Sequence, residues 1–155
     1  MNFCLSIFLI IILELSQLAC VGQQPSFQNQ NISSLEGQVM ELLGNAMPSK
    51  GKSSYKGRPL LATIYIFQPL HLAQLENQTG AFCNKINGTL IDSVLSNSDG
   101  RYHLSLKPGQ YSVVVGSENG FFIPYFSGLD GVAYFNIEPY KTTLLNITVN
   151  QKANY

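Results

Sequence analysis

The chain offers few side chains with which to carry out chemistry. Its two histidines, His71 and His103, stand apart, and neither has a second histidine or a cysteine at the spacing of a metal site. The serines lie in no Gly-x-Ser-x-Gly elbow, and the glycines form no phosphate-binding loop. Asp99 and Asp130 each precede a glycine, which is typical of turns, and the alternating oxygen ligands of a calcium loop are missing. The sequence therefore predicts a protein that is not an enzyme, with no catalytic residue, metal site or cofactor.

Aromatic residues are the feature of the sequence with binding potential. They are Phe121, Phe122, Tyr125, Phe126, Tyr134 and Phe135. A small β-sandwich needs most of such bulky side chains between its sheets. Pro124 interrupts the first run, which indicates an edge strand or an extended arm whose alternate side chains face solvent. The candidate contacts for a protein partner or a carbohydrate are Phe122, Tyr125, Phe126 and Tyr134.

The elements that must position these residues are short strands. In residues 97–115, Asp99-Gly100 and Pro108-Gly109 supply two turns, and polar and apolar residues alternate between them. This pattern predicts a β-hairpin. Residues 68–88 lack a regular pattern and are predicted to form a long inserted loop. Further strands are predicted at residues 35–42, 60–67, 90–95, 132–137 and 145–150.

The spacing of these strands favours one fold class. They recur about every ten residues with glycine or proline between them, which is typical of antiparallel sandwiches. We predict an all-β fold, an antiparallel Greek-key β-sandwich of about seven strands, formed by residues 36–150. Residues 151–155 are predicted to be a C-terminal tail.

The first twenty residues resemble an export signal. The apolar run in residues 3–13 is too short to span a bilayer and suits the central region of a signal peptide. Residues 1–19 are predicted to be that signal, and Cys20 resembles the lipidated cysteine of a bacterial lipoprotein. Ordinary secretion, with cleavage after Ala19 or Gly22, is the alternative. Residues 20–35 are rich in Gln, Asn and Ser, which predicts a flexible tether.

The cysteines do not form the even set that a disulfide framework requires. Cys4 lies in the predicted signal and Cys20 is the predicted lipidation site, which leaves Cys83 alone in the domain. Cys83 follows Phe82 and is predicted to be a buried, unreactive thiol. If Cys20 is not lipidated, a bridge between Cys20 and Cys83 is the alternative.

The charge balance bears on the partners of the protein. Nine basic residues match nine acidic residues, so the formal net charge is zero. Nucleic acids and anionic lipid headgroups both attract clustered lysine and arginine. We therefore expect no nucleic-acid partner, and we expect attachment to a membrane through an N-terminal lipid rather than through charge.

Three motifs give the domain a family resemblance. Gly37 and Val39 match a Gly-x-Val first strand, and residues 106–113 (LKPGQYSV) match Leu-x-Pro-Gly-x-Tyr-x-Val. Residues 98–102 (SDGRY) match a Ser/Thr-Asp-x-Asp-Gly-x-Phe/Tyr turn in which serine replaces one acidic residue. On these residues the chain resembles the carboxypeptidase regulatory-like domain, a small sandwich of prealbumin topology, as found in small lipoproteins of Bacteroidetes-type bacteria. The chain has neither the length for a zinc peptidase domain nor a His-x-x-Glu pair, so peptidase activity is not implied.

The resemblance implies a place and a role for the chain. We expect a non-enzymatic lipoprotein of the cell envelope, anchored in the outer membrane, that acts as an interaction or structural module. Its expected partners are the membrane, through the lipid, and another envelope protein or a glycan, with the edge strand and residues 68–88 as contact surfaces. The alternative is a secreted carbohydrate- or peptide-binding module that uses the exposed aromatic arm.

Overall fold

The structure of the chain is a computed structural model that describes residues 33–45, 57–118 and 120–154. The predicted signal peptide, Cys20 and most of the predicted tether lie outside these ranges. Among the described residues we find no apolar helix of bilayer-spanning length.

Strands dominate the regular structure of the described ranges. A short 3-10 turn at Leu72–Gln74 lies among them. In chain order the strands are β1 Ser33–Asn45, β2 Arg58–Pro59, β3 Thr63–Phe67, β4 Leu70–His71, β5 Leu75–Glu76, β6 Phe82–Cys83, β7 Lys85–Ile86, β8 Leu90–Leu95, β9 Arg101–Leu106, β10 Gly109–Ser117, β11 Gly120–Phe122, β12 Phe126–Ser127, β13 Gly131–Val132, β14 Tyr134–Ile137, β15 Thr142–Leu144 and β16 Ile147–Asn154.

The first sheet is built on β1. Strands β9 and β2 run antiparallel to successive parts of β1, and strands β15 and β16 run parallel to successive parts of it. The register places Glu36 opposite His103 and Val39 opposite Ile147. The first strand and the last strands of the domain therefore lie side by side.

The second sheet has the strand order β6-β11-β10-β3-β8, and β14 also pairs with β10. All of these pairs are antiparallel. Opposite residues share a face, so Ile66 and Val113 lie on one face while Phe67 and Ser112 lie on the other. All four side chains are buried. Both faces are therefore covered where β3 and β10 pair. The prediction of a covered strand at residues 60–67 holds for Thr63–Phe67, whereas Leu61 lies outside the strand and is 62% exposed.

One hydrophobic cluster joins the two sheets. The first sheet contributes Leu35, Val39 and Ile147, and the second contributes Ile64 and Val113 among others. This arrangement confirms the prediction of an all-β, sandwich-like domain built mainly from antiparallel sheets. The parallel pairing of β1 with β15 and β16 was not foreseen, because it joins segments 108 residues apart that share no local pattern.

The predicted hairpin at residues 97–115 was wrong. Strands β9 and β10 lie where the sequence placed them, but β9 pairs with β1 while β10 pairs with β3, β11 and β14. Residues 107 and 108 therefore carry the chain from one sheet to the other. Alternation of polar and apolar residues reports which face of a strand is buried, and it does not report which strand lies beside it.

Several boundaries also differ from the prediction. Residues 68–88 contain the short strands β4 to β7, and the first strand begins at Ser33, with a buried side chain, rather than at residue 35. Ala133, with a φ of 45°, separates β13 from β14 within the strand predicted at residues 132–137. The last predicted strand corresponds to β16, which begins at Ile147.

Candidate functional site

The predicted aromatic arm is part of a small three-stranded ladder. Strand β12 pairs with β13, and β13 pairs with β4, where Gly131 lies opposite His71. Gly128 adopts a φ of +66° in the turn, and a Cβ atom on Gly131 would lie 2.3 Å from the Ser127 carbonyl oxygen. These two glycines allow a tight β-turn to carry the arm across the surface of the domain.

Phe122, predicted to be a contact residue, belongs to the core. It is 2% exposed, and its ring centroid lies 5.3 Å from that of Phe82. Phe122 pairs with Val115 in the second sheet, before the break at Pro124. Since the arm begins only after that proline, Phe122 is held by the sheet and is not part of the site.

Tyr125 and Phe126 are partly exposed to solvent, with exposed fractions of 38% and 45%. The Tyr125 hydroxyl donates a hydrogen bond to the carbonyl oxygen of Tyr134 at 2.9 Å. Burial of part of the ring raises the pKa of the Tyr125 phenol. This hydrogen bond fixes the Tyr125 ring against the arm. The register places Phe126 on the face of the ladder that also carries the buried Val132 and Leu70, whereas His71 lies on the opposite face.

Tyr134 brings a histidine and an aspartate to the arm. Its hydroxyl oxygen lies 3.5 Å from Nδ1 of His71, and the two rings are nearly perpendicular with centroids 6.3 Å apart. The same Nδ1 lies 3.0 Å from Oδ2 of Asp130. Both of these side chains are more than half exposed, so solvent screens their attraction and leaves them accessible to a ligand.

Leu129 completes this surface at the tip of the turn. Its side chain is 100% exposed, although large apolar side chains are usually covered. We call the surface the arm patch; it consists of Tyr125, Leu129 and Tyr134 together with His71 and Asp130. An apolar tip beside aromatic rings and exposed hydrogen-bonding groups suits contact with a peptide or a saccharide.

Sequence reasoning did not find three members of the arm patch. His71 and Asp130 are 59 residues apart, and only the pairing of β4 with β13 brings them together. Leu129 does carry a local signal, since Gly128 precedes it and Asp130-Gly131 follows it, as expected of an exposed turn.

The inserted segment, predicted to be a contact surface, is held by polar contacts at both ends. Lys85 Nζ and Asn87 Nδ2 both donate to Oε1 of Glu76, at 2.9 Å and 2.6 Å. The hydrogen bond from Asn87, followed by that from Lys85, lowers the pKa of Glu76. At the base of the segment, the backbone N–H of Leu70 donates to the buried Ser112 Oγ at 2.8 Å.

The free cysteine and the other histidine have separate surroundings. Cys83 is fully buried, as predicted, and desolvation raises the pKa of its thiol. His103 is exposed on β9, with Nε2 3.8 Å from Oε1 of Glu36. Within the described part of the chain, no group of three His, Cys, Asp or Glu side chains is placed to hold a metal ion.

No protein-family model and no curated protein matches this sequence. The resemblance carried by residues 37–39, 98–102 and 106–113 therefore stays a prediction.

Proposed function

We propose that this chain is a non-enzymatic binding module of the cell envelope and that the arm patch is its contact surface. The observation that carries the proposal is the fully exposed Leu129 at the tip of a hydrogen-bonded turn. The arm is fixed by pairing to β4 and by the hydrogen bond from Tyr125 to Tyr134. Binding of a partner therefore costs little conformational entropy, because the arm is already ordered. A preformed apolar surface of this kind is typical of protein contact sites.

Photo-crosslinking tests the contact surface directly. In bacteria expressing the full chain, p-benzoylphenylalanine at position 129 should give a discrete cross-linked product with an envelope protein. Tyr134→Ala should reduce the yield about fivefold or more, because it removes an aromatic ring from the same surface. The matched control places the photoreactive residue at Lys107, which is exposed on the turn between β9 and β10. The absence of a product at 129, or the same product from 107, contradicts the proposal.

The envelope location in this proposal is supported by the apolar run in residues 3–13 and by Cys20. Metabolic labelling with a palmitate analogue should mark the wild-type protein and should not mark Cys20→Ala, which should move to the soluble fraction. Cys83→Ala is the control and should keep the label, because that thiol is buried. An unlabelled wild-type protein, or a labelled Cys20→Ala variant, would rule out lipidation at this position.

A second candidate function is that of a secreted carbohydrate-binding module. The aromatic rings of Tyr125 and Tyr134 beside His71 and Asp130 favour it, since sugars present both apolar faces and hydroxyl groups. On a glycan array, the wild-type protein and Tyr125→Phe should bind the same glycans, and Tyr125→Ala should lose them. Binding that survives Tyr125→Ala would exclude the arm as the carbohydrate site.

A further inference from the structure

The outer face of the first sheet carries a groove of about 430 Å³. Glu36 lies opposite His103 and Gln38 lies opposite Arg101, so these four side chains share the face that points away from the core. A groove of this volume falls in the range of small-molecule sites. The residues that line it include Glu36, Gln38, Asn97, Arg101, His103 and Asn146.

Two asparagine side chains in the groove are oriented by the backbone. Asn146 Oδ1 accepts the N–H of Gln38 at 3.1 Å, and Asn97 Oδ1 accepts the N–H of Arg101 at 2.8 Å. Because Oδ1 of each asparagine accepts a backbone N–H, the remaining terminal atom of each side-chain amide is the NH₂ nitrogen. Within the described part of the chain, neither NH₂ group has a hydrogen-bond acceptor, so both are left to donate to a ligand.

Arg101 adds a positive charge to the groove that these two donors line. Its guanidinium forms no ion pair with any carboxylate in the described ranges. A guanidinium in a groove that also holds amide donors is suited to a carboxylate, which accepts two parallel hydrogen bonds from the planar fork.

The groove also offers hydrogen-bond acceptors. Gln38 Nε2 donates to the carbonyl oxygen of Asp99 at 2.8 Å, which leaves Gln38 Oε1 as an acceptor. The Glu36 carboxylate lies near His103 and is half exposed. Hydroxyl groups are the natural donors to such oxygens. Leu144, which is 71% exposed, supplies an apolar contact at the rim.

We propose that this groove is a binding site for an acidic saccharide of the uronic acid class. The carboxylate of the sugar pairs with Arg101 and accepts from the NH₂ groups of Asn97 and Asn146. The ring hydroxyls donate to Gln38 Oε1 and Glu36. The site uses the first sheet and none of the arm patch, so it stands or falls independently of the proposed function.

Titration of the full chain with galacturonate, followed by NMR, tests the site. Saturable shifts are expected for the side-chain NH₂ signals of Asn97 and Asn146 and for the Arg101 Nε–H signal at millimolar ligand. Galactose, which has the ring without the carboxylate, and acetate, which has the carboxylate without the ring, should each bind about tenfold more weakly.

Two variants and one control decide the outcome. Arg101→Gln should weaken galacturonate binding about tenfold or more. Asn146→Asp keeps an oxygen for the N–H of Gln38 but replaces the NH₂ donor with a negative oxygen, and it should weaken binding similarly. Lys107→Gln removes one exposed positive charge elsewhere and should bind as the wild type does. The proposal is overturned if galacturonate gives no saturable shifts, if galactose binds equally well, or if both groove variants bind as Lys107→Gln does.

Discussion

A buried hydroxyl group links strand β9 to the segment between β15 and β16 through one hydrogen bond. The Tyr102 side chain is almost fully buried, and its hydroxyl donates a hydrogen bond to the carbonyl oxygen of Leu145. Leu145 lies between β15 and β16, and Gly37 makes room for it, because a Cβ atom at Gly37 would come within 1.8 Å of the same oxygen. Burial raises the pKa of the Tyr102 phenol, so the folded protein favours the protonated hydroxyl, which can donate this hydrogen bond.

Tyr102→Phe removes this hydrogen bond and should lower the free energy of unfolding at neutral pH by about 1 kcal/mol. The pKa of Tyr102 in the folded protein is raised above the unfolded value of about 10, so its contribution is complete below about pH 10 and is lost as the pH rises further. Urea unfolding at a series of pH values should therefore show a steeper alkaline decline for the wild type than for Tyr102→Phe. Equal declines would show that this phenol does not govern the alkaline behaviour.

The buried thiol of Cys83 gives a second prediction at this scale. In a chain carrying Cys4→Ala and Cys20→Ala, a thiol reagent should label Cys83 about a hundredfold more slowly in native buffer than in urea. Both the burial of the sulfur and the raised pKa of the thiol act in this direction. Rapid labelling in native buffer would mean that the edge formed by β6 opens readily.

At the scale of elements, the inserted segment depends on its attachment to the second sheet. Ser112 lies in β10 with no exposed surface, and its Oγ accepts the backbone N–H of Leu70. This bond ties the start of β4 to the central strand of the sheet. Because β4 pairs with β13, the same bond also supports the arm patch.

Ser112→Ala should reduce the free energy of unfolding by about 1–3 kcal/mol, because the buried N–H of Leu70 loses its acceptor. Hydrogen exchange at the Leu70 amide should become faster by a larger factor than exchange at Val113, whose N–H bonds to the Ala133 carbonyl. Ser105→Ala, at an exposed position of β9, is the matched control and should change stability little. A stability loss with unchanged exchange at Leu70 would place the defect elsewhere in the sheet.

Local patterns predicted where most long strands lie and which of their faces are buried. The runs at residues 60–67 and 90–95 and the alternation in β9 all correspond to observed strands. Partners could not be predicted, because β9 and β10 are separated by two residues and belong to different sheets. The position of Pro124 indicated where the arm begins. It did not indicate that Phe122 is buried, because that burial depends on pairing with Val115 in the neighbouring strand.

For the molecule as a whole, the decisive contact is the one between its two ends. Strand β1 pairs with β15 and β16 across more than a hundred residues, and Ile147 and Val149 are buried there. Contacts of such high sequence separation form late and slow the folding of β proteins. The sandwich is therefore complete only when the last strand is in place.

Removal of residues 147–155 should prevent folding. The truncated chain exposes the Val39 edge of β1 and loses two buried side chains of the core, so it should show no cooperative thermal transition by circular dichroism. Removal of residues 151–155 alone keeps the pairs from Val39↔Ile147 to Glu41↔Val149 and should leave a cooperative transition at a lower temperature. A cooperative transition in the chain that lacks residues 147–155 would show that β1 needs only β9, β2 and β15 beside it.

The parallel course of the first and last strands also separates the two ends of the folded body. β1 starts at Ser33 beside Leu106 and finishes at Asn45 beside Asn154, and its thirteen residues extend over about 40 Å. Segments joined before Ser33 and after Asn154 would therefore leave the sandwich at opposite poles.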